Sequence, residues 1–138
     1  MTYPQLPDSD GAIRGWLQSC SSIVALTSNR QYFAMPERDT PETPYILLYR
    51  IGGSPDSFGQ DYPQVILECW ASGKQAKFDA STLGRVVARE VMGIRVPVLV
   101  GDAWVLAGEV NFGPVQTTGA PNAKRYRIDA TFHIRSAM

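Results

Sequence analysis

The clearest pattern in the sequence is the alternation of apolar and polar residues from Arg125 to Arg135. A period of two residues is typical of an antiparallel strand with one buried and one polar face. We therefore predict a strand over Arg125–Arg135. Its 11 residues are about twice the usual strand length, so we expect part of it to extend past its partners as an unpaired edge. Its apolar positions are Tyr126, Ile128, Ala130, Phe132 and Ile134.

Two earlier segments are apolar on both faces, which is typical of strands covered on both sides. Tyr45–Ile51 is apolar apart from Arg50. Gln64–Ala71 places Val65, Leu67 and Cys69 on one face and Ile66, Glu68 and Trp70 on the other. We expect Ile66, Trp70 and Ile46 to lie opposite Val65 and Leu67. Either loops or another copy of the chain would then cover these large side chains.

A helical period appears in two segments. Ile13, Trp16, Leu17 and Cys20 recur at helical spacing, which predicts a helix over Asp8–Cys20, with Asp8 or Ser9 as its cap and a further turn around Ile23–Leu26. The second helix carries an apolar stripe of Ala76, Ala80, Leu83, Val87 and Val91 and ends near Gly93. Its start is predicted either by a capping box over Ser72–Gln75 or by Asp79 as a cap. With the earlier start, Phe78 points away from the stripe and needs another cover.

The remaining elements complete a prediction of fold class. We predict a single α+β domain over residues 1–138. An antiparallel sheet of about five strands carries two helices on one face, in the order α-β-β-β-α-β-β. The other predicted segments are a short strand in Arg30–Ala34, a loop over Met35–Pro44, a connection over Gly52–Pro63 with Phe58 exposed, a short strand over Val96–Val100, a strand over Ala103–Phe112 and a loop over Gly113–Pro121.

Composition removes several classes of function. Lys and Arg number 13, as do Asp and Glu, so the net charge is zero, whereas a dedicated nucleic-acid-binding domain is usually basic. One histidine and two cysteines argue against a structural zinc site, a His-pair metalloprotease and a disulfide framework. The first seven residues lack the features of a signal peptide, and no apolar run approaches the ~20 residues of a membrane span. We expect a soluble protein folded in a reducing cytoplasm.

The sequence offers little catalytic chemistry. His133 lies among arginines with no triad pattern near it, and Cys20 and Cys69 lie on apolar faces. The glycine-rich run at Gly52–Pro55 lacks the ending of a P-loop, as does Gly73-Lys74. We therefore predict no enzyme activity, no catalytic or metal-binding residue and no cofactor.

Among the polar residues, the arginines of the last predicted strand give the strongest indication of an interaction surface. Arg125, Arg127 and Arg135 share its polar face, and Glu109 is placed to lie opposite on the preceding strand. This face is either solvated, or a charged seam between subunits, or a surface facing DNA phosphates. We also predict that the loops over Gly52–Pro63 and Gly113–Pro121 are contact elements, since long loops in compact domains are usually functional or disordered. The candidate subunit or partner interface comprises Arg125, Arg127, Arg135, Glu109, Phe58, Asp61, Pro114 and Thr117.

Nearly the whole chain resembles the tail terminator (tail completion) proteins of long-tailed, siphovirus-type bacteriophages. The resemblance is one of element order and strand character. It rests on an N-terminal helix before Arg30-Gln-Tyr32, the strands Pro44-Tyr-Ile-Leu-Leu-Tyr49 and Gln64-Val-Ile-Leu-Glu-Cys-Trp70, the helix at 80–90 and the closing strand at 125–134.

The resemblance implies a structural virion protein. Its subunits would close into a ring, usually six-fold, on the last ring of the tail tube, stop tube growth and join the tail to the head connector. The implied partners are copies of itself, the major tail tube protein and the head–tail connector or stopper protein. DNA would pass through the bore without sequence-specific binding, and no membrane is involved. The implied location is the head-proximal end of the virion tail, with assembly in the host cytoplasm.

Two alternatives remain open from the sequence. The chain is either another head–tail connector or minor tail protein, or it is a small-ligand-binding or enzymatic α+β domain. The last alternative needs a cavity with convergent polar groups between sheet and helices.

Overall fold

A computed structural model describes residues 5–36, 42–119 and 122–137. The α+β class is as predicted. Within these described ranges, three helices and seven strands replace the expected two helices and about five strands, and the element order differs accordingly. The helices are α1 (Ser9–Ser19), α2 (Ser21–Thr27) and α3 (Ala76–Met92), and the strands are β1 (Gln31–Tyr32), β2 (Tyr45–Gly52), β3 (Gln60–Asp61), β4 (Gln64–Ser72), β5 (Val98–Val100), β6 (Ala103–Thr117) and β7 (Ala123–Ser136).

The N-terminal helix forms as its apolar period predicts. Asp8 caps α1 by accepting a hydrogen bond from the Gly11 N–H at 3.1 Å. Extended backbone at Cys20 separates α1 from α2. Ile13, Trp16 and Leu17 of α1 are buried.

Neither predicted cap of α3 is correct. Gln75 is the N-cap residue and makes no side-chain hydrogen bond, while Asp79 lies within the first turn. Ser72 still belongs to β4, and its hydroxyl pairs with that of Thr43 at 2.8 Å, so it is engaged elsewhere. The apolar stripe from Ala76 to Val91 is buried as predicted.

Strand β7 lies inside the sheet, so the unpaired edge expected for Arg125–Arg135 is wrong. The sheet order is β1-β2-β4-β7-β6-β5, and β3 also pairs with β7. Only β1 and β2 pair in parallel; the other described pairs are antiparallel. β7 is long because β4 pairs with residues 123–131, β3 with residues 134–135 and β6 with most of its length.

The predicted loop over Gly113–Pro121 is largely strand. β6 continues to Thr117, and Val115, Gln116 and Thr117 pair with β7 residues 125–127. The ladder changes register between Phe112 and Val115. The intervening Pro114 has no N–H to donate, and irregular positions of this kind tolerate proline within a sheet. Pro121 lies outside the described residues.

All three helices pack on one face of the sheet around one large core, to which β2, β4, β6 and β7 contribute. Ile46 of β2 lies in register with Cys69 and belongs to this core. The expectation that Ile46 lies with Ile66 and Trp70 on the other face is therefore wrong, because paired residues of neighbouring strands share a face.

Candidate interaction interface

The face of the sheet opposite the helices carries Arg125, Arg127 and Thr117 of the predicted interface, and we call it the open face. Strand alternation and cross-strand register place the polar residues of β7 on this side. The neighbouring strands add aromatic, aliphatic and acidic side chains. Its members include Tyr45, Leu47, Tyr49, Ile66, Glu68, Trp70, Val115, Thr117, Arg125, Arg127 and Asp129.

Glu68 is the centre of a hydrogen-bond network on the open face. The residue is only 5% exposed. Its carboxylate accepts hydrogen bonds from Trp70 Nε1 at 3.1 Å, Tyr49 Oη at 2.9 Å and Arg125 Nη1 at 3.3 Å. Such charge-assisted bonds offset the cost of burying a carboxylate. Burial and the bond to Glu68 raise the pKa of Tyr49, so its phenol stays a donor at neutral pH.

The aromatic side chains of this face are covered within one chain. Tyr45 stacks on Trp70 with ring centroids 6.0 Å apart and meets Tyr32 edge-on. The Tyr45 hydroxyl donates to Met35 Sδ at 3.7 Å, in the segment that follows β1. Burial, with the nearby Glu68 charge, raises the pKa of Tyr45 to about 12. Trp70 and Ile66 are buried without a second copy of the chain.

Two of the three predicted interface arginines pair inside the chain. Arg125 donates to Thr117 Oγ1 at 2.7 Å and lies over the Trp70 ring at 5.3 Å, besides binding Glu68. Arg127 binds Asp129 through two nitrogens, at 2.7 and 3.1 Å, and this contact raises the pKa of Arg127. The charges of both arginines are therefore largely paired with carboxylates of the same chain, which weakens both the charged-seam and the DNA-facing interpretations.

Asp61 does not belong to an exposed interface, because it is 4% exposed in the single chain. Its carboxylate accepts from Arg50 at 2.6 and 2.9 Å, from the Ser9 hydroxyl and from the Tyr62 N–H. Burial alone would raise the pKa of Asp61, but these bonds hold it below its usual value. Arg50, the one charged residue in an apolar strand, was the sequence signal for such a buried partner.

The other predicted interface residues occupy separate places. Phe58 is 75% exposed, as predicted, and Arg135 is exposed near the end of β7. Glu109 is exposed but lies opposite Thr131 and not opposite an arginine. Pro114 lies against α3, where a Cβ added to Gly84 would meet Pro114 Cβ at 3.0 Å. The structure thus brings Arg125, Arg127 and Thr117 together at one place and Asp61 and Arg135 close together where β3 pairs with β7, and it leaves Glu109 and Pro114 apart.

An open cleft at the start of α3 was not identified from the sequence. It has a volume of about 480 Å³. Phe78, which the helical period had left without a cover, is one wall and is 63% exposed. The lining residues are Lys74, Gln75, Lys77, Phe78, Ser81 and Tyr126.

The residues considered for chemistry are held in structural contacts. His133 Nε2 is hydrogen-bonded to Gln60 Oε1, and its ring stacks on Tyr62 at 4.7 Å. Burial and the Glu90 charge raise the pKa of the Cys20 thiol to about 11, and burial raises that of Cys69 further. Across residues 5–36, 42–119 and 122–137, no cluster of three His, Cys, Asp or Glu side chains is placed to hold a metal ion. None of the helices in those ranges is long and apolar enough to cross a membrane.

No protein-family model matches the chain, and a search of curated proteins finds no match.

Proposed function

We propose that this chain is a structural subunit of a phage tail, and that copies of it form a ring that ends the tail tube and receives the head connector. The element order from Ser9 to Ser136 supports this proposal through its resemblance to tail terminators. The proposed place is the head-proximal end of the tail. The proposed partners are copies of the chain, the tube protein and the connector, with DNA in the bore.

The observation that carries the proposal is the order and strand character of the elements from Ser9 to Ser136, and the apolar side chains left in solvent are compatible with it. Phe58, Phe78, Val96 and Leu99 are each more than half exposed. Single apolar side chains scattered over a surface are also common on monomers, so their exposure permits contacts with other molecules and does not by itself require them. A ring subunit that meets two neighbours, a tube and a connector uses several separate surfaces, and we assign these residues to such contacts.

The proposal requires binding and no chemical step. Complementary surfaces that close head to tail generate a ring, and a ring of fixed size ends growth because it offers the tube protein no further site. The internal pairing of Arg125 and Arg127 supports assembly through apolar contacts more than through a charged seam.

The test is made on particles. In the phage that encodes the chain, deletion of its gene is expected to give tails of uncontrolled length that do not join heads. Purified chain added to such an extract is expected to restore joining, with rings visible by electron microscopy at the head-proximal end.

Tails of normal length that join heads without the chain would overturn the proposal. Tails of normal length that fail to join heads would instead indicate the neighbouring role of a head–tail connector. Chain found along the side or at the distal end of the tail would indicate a minor tail protein.

A further inference from the structure

The turn that carries Phe58 is held by several hydrogen bonds, although its tip is exposed. The carboxylate of Asp56 accepts hydrogen bonds from the N–H groups of Phe58 at 2.8 Å and Gln60 at 3.1 Å. The Asp56 N–H in turn donates to the Gln60 carbonyl oxygen at 2.8 Å. Ser136 at the end of β7 donates its N–H to the Gly59 carbonyl oxygen at 3.1 Å. We call residues 56–60 the Phe58 turn.

An exposed aromatic side chain on a hydrogen-bonded turn is the kind of group that anchors protein interfaces. Its contact costs little conformational entropy, because the backbone is already ordered before binding. Nothing within the described chain covers Phe58, which has the highest exposed fraction among its large apolar residues.

The cleft at the start of α3, which we call the α3 cleft, has the complementary character. The rings of Phe78 and Tyr126 give it apolar walls, and its volume of about 480 Å³ admits an aromatic side chain with its flanking backbone. Lys74 and Lys77 line its rim with positive charge, while Asp56 gives the Phe58 turn a negative charge. A phenyl ring entering the cleft would therefore bring Asp56 towards the lysines.

The two surfaces lie at opposite ends of the central strand. Tyr126 is near the start of β7, and Arg135, in register with Gln60 of the Phe58 turn, is near its end. At about 3.3 Å per residue, these positions are about 30 Å apart along the strand. Neither surface can reach the other within one chain. Two different and complementary surfaces at opposite ends form a head-to-tail contact, and such a contact closes into a ring when its rotation permits.

We infer that the Phe58 turn of one copy of the chain docks into the α3 cleft of the next copy. The inference rests on the proposed function, since it names the contact by which the ring would close. The occupant of the cleft is thus a second copy, bound through an aromatic anchor and an acid–base pair at its rim.

Two variants each remove one half of the contact. Phe58→Ser removes the aromatic anchor and leaves the α3 cleft intact. The double variant Lys74→Glu with Lys77→Glu reverses the charge of the cleft and leaves the anchor intact. All three positions are exposed, so the fold is expected to survive, which circular dichroism checks. Phe112→Ser is the matched control, because Phe112 is 55% exposed but lies on β6, outside both surfaces.

The experiment measures mass against concentration by sedimentation for each protein alone and for the mixture. The wild-type chain and Phe112→Ser are expected to assemble equally. Phe58→Ser and the double lysine variant are each expected to need at least about tenfold more protein to associate. Mixed in equal amounts, the two variants retain one good contact between them, so they are expected to form one-to-one dimers and nothing larger.

Phe58→Ser that assembles like the wild type would overturn the inference. Two monomeric variants that fail to form the mixed dimer would also overturn it, because the intact halves would then not recognise each other. A wild-type chain that stays monomeric at millimolar concentration would likewise exclude this self-contact. The proposed function is judged separately by tail length, so normal capping of tails by Phe58→Ser would reject the contact and leave the proposed function standing.

Discussion

Replacement of Asp61 by Asn tests whether this residue stabilises the fold or forms part of an interface. The change keeps the shape of the side chain and removes its charge. In the native chain the carboxylate accepts two hydrogen bonds from Arg50, one from the Ser9 hydroxyl and one from the Tyr62 N–H. An amide cannot accept them all, because its NH₂ group is itself a donor.

The structure sets the expected magnitude. Removing one member of a buried ion pair costs about 3–5 kcal/mol when the other charge is left buried. The Arg50 side chain is 30% exposed and also donates to the carbonyl oxygens of Gly52 and Gly53, so it keeps other partners. We therefore expect a loss of about 3 kcal/mol in the free energy of unfolding, at the lower end of that range.

The pH dependence gives the prediction a second part. The pKa of Asp61 is lower in the folded chain than in the unfolded one, so the unfolded chain binds more protons as the pH falls. The contribution of Asp61 is thus fully present above about pH 4, the pKa region of an unfolded aspartate, and is lost as the pH falls through the folded pKa. The difference in stability between wild type and Asp61→Asn should shrink below about pH 4.

The assay is urea unfolding at low protein concentration, followed by the fluorescence of the three tryptophans. Asp102→Asn serves as the control, because Asp102 is exposed in a turn, and its effect should be within about 0.5 kcal/mol. An Asp61→Asn variant as stable as this control would refute the buried ion pair. If Asp61→Asn assembled more weakly than the wild type but were equally stable, Asp61 would be part of an interface.

The remaining predictions concern glycines and thiols. Gly113→Ala should destabilise the chain by more than about 2 kcal/mol in urea unfolding, since Gly113 has φ 89° and a Cβ there would meet the Arg127 carbonyl oxygen at 2.3 Å. Gly73→Ala, at φ 93° with open space around it, should cost only about 1–2 kcal/mol; equal losses would contradict this reasoning. A thiol reagent at pH 8 should label Cys20 slowly, because its pKa is raised to about 11, and Cys69 only after unfolding; equal rates for the two thiols would show that Cys69 is accessible.

The elements that could be predicted are those whose side chains carry their own period. The alternation in β7 and the helical spacing in α1 and α3 can be recognised without knowing which elements pack against them. Each pattern lies within a single stretch of the sequence. The ends of the elements were harder to predict from the sequence. Ser72 was available as a cap in the sequence, but in the fold it extends β4 and bonds Thr43.

What the sequence could not provide is the identity of strand partners. The length of β7 predicts an unpaired edge, yet β7 pairs with three strands: β6, which precedes it in the sequence, and β3 and β4, which come from distant parts of the chain. The same limit explains Asp61, which sits in a glycine- and proline-rich segment typical of an exposed loop. Only the pairing of β3 with the end of β7 carries its carboxylate towards Arg50 and Ser9.

This arrangement also bears on the proposed assembly of a chain without net charge. Because Arg125 and Arg127 are matched by Glu68 and Asp129 inside the subunit, reversing the charge of Arg127 would place two carboxylates together and disturb the fold before it tested any seam. Among the charges outside these pairs, the proposed contact uses Asp56 near one end of β7, where Arg135 is also exposed, and the α3 cleft lysines near the other end. Opposite charges kept apart in one molecule attract the unlike end of the next copy and repel the like end, so they favour head-to-tail contact over a symmetric pair.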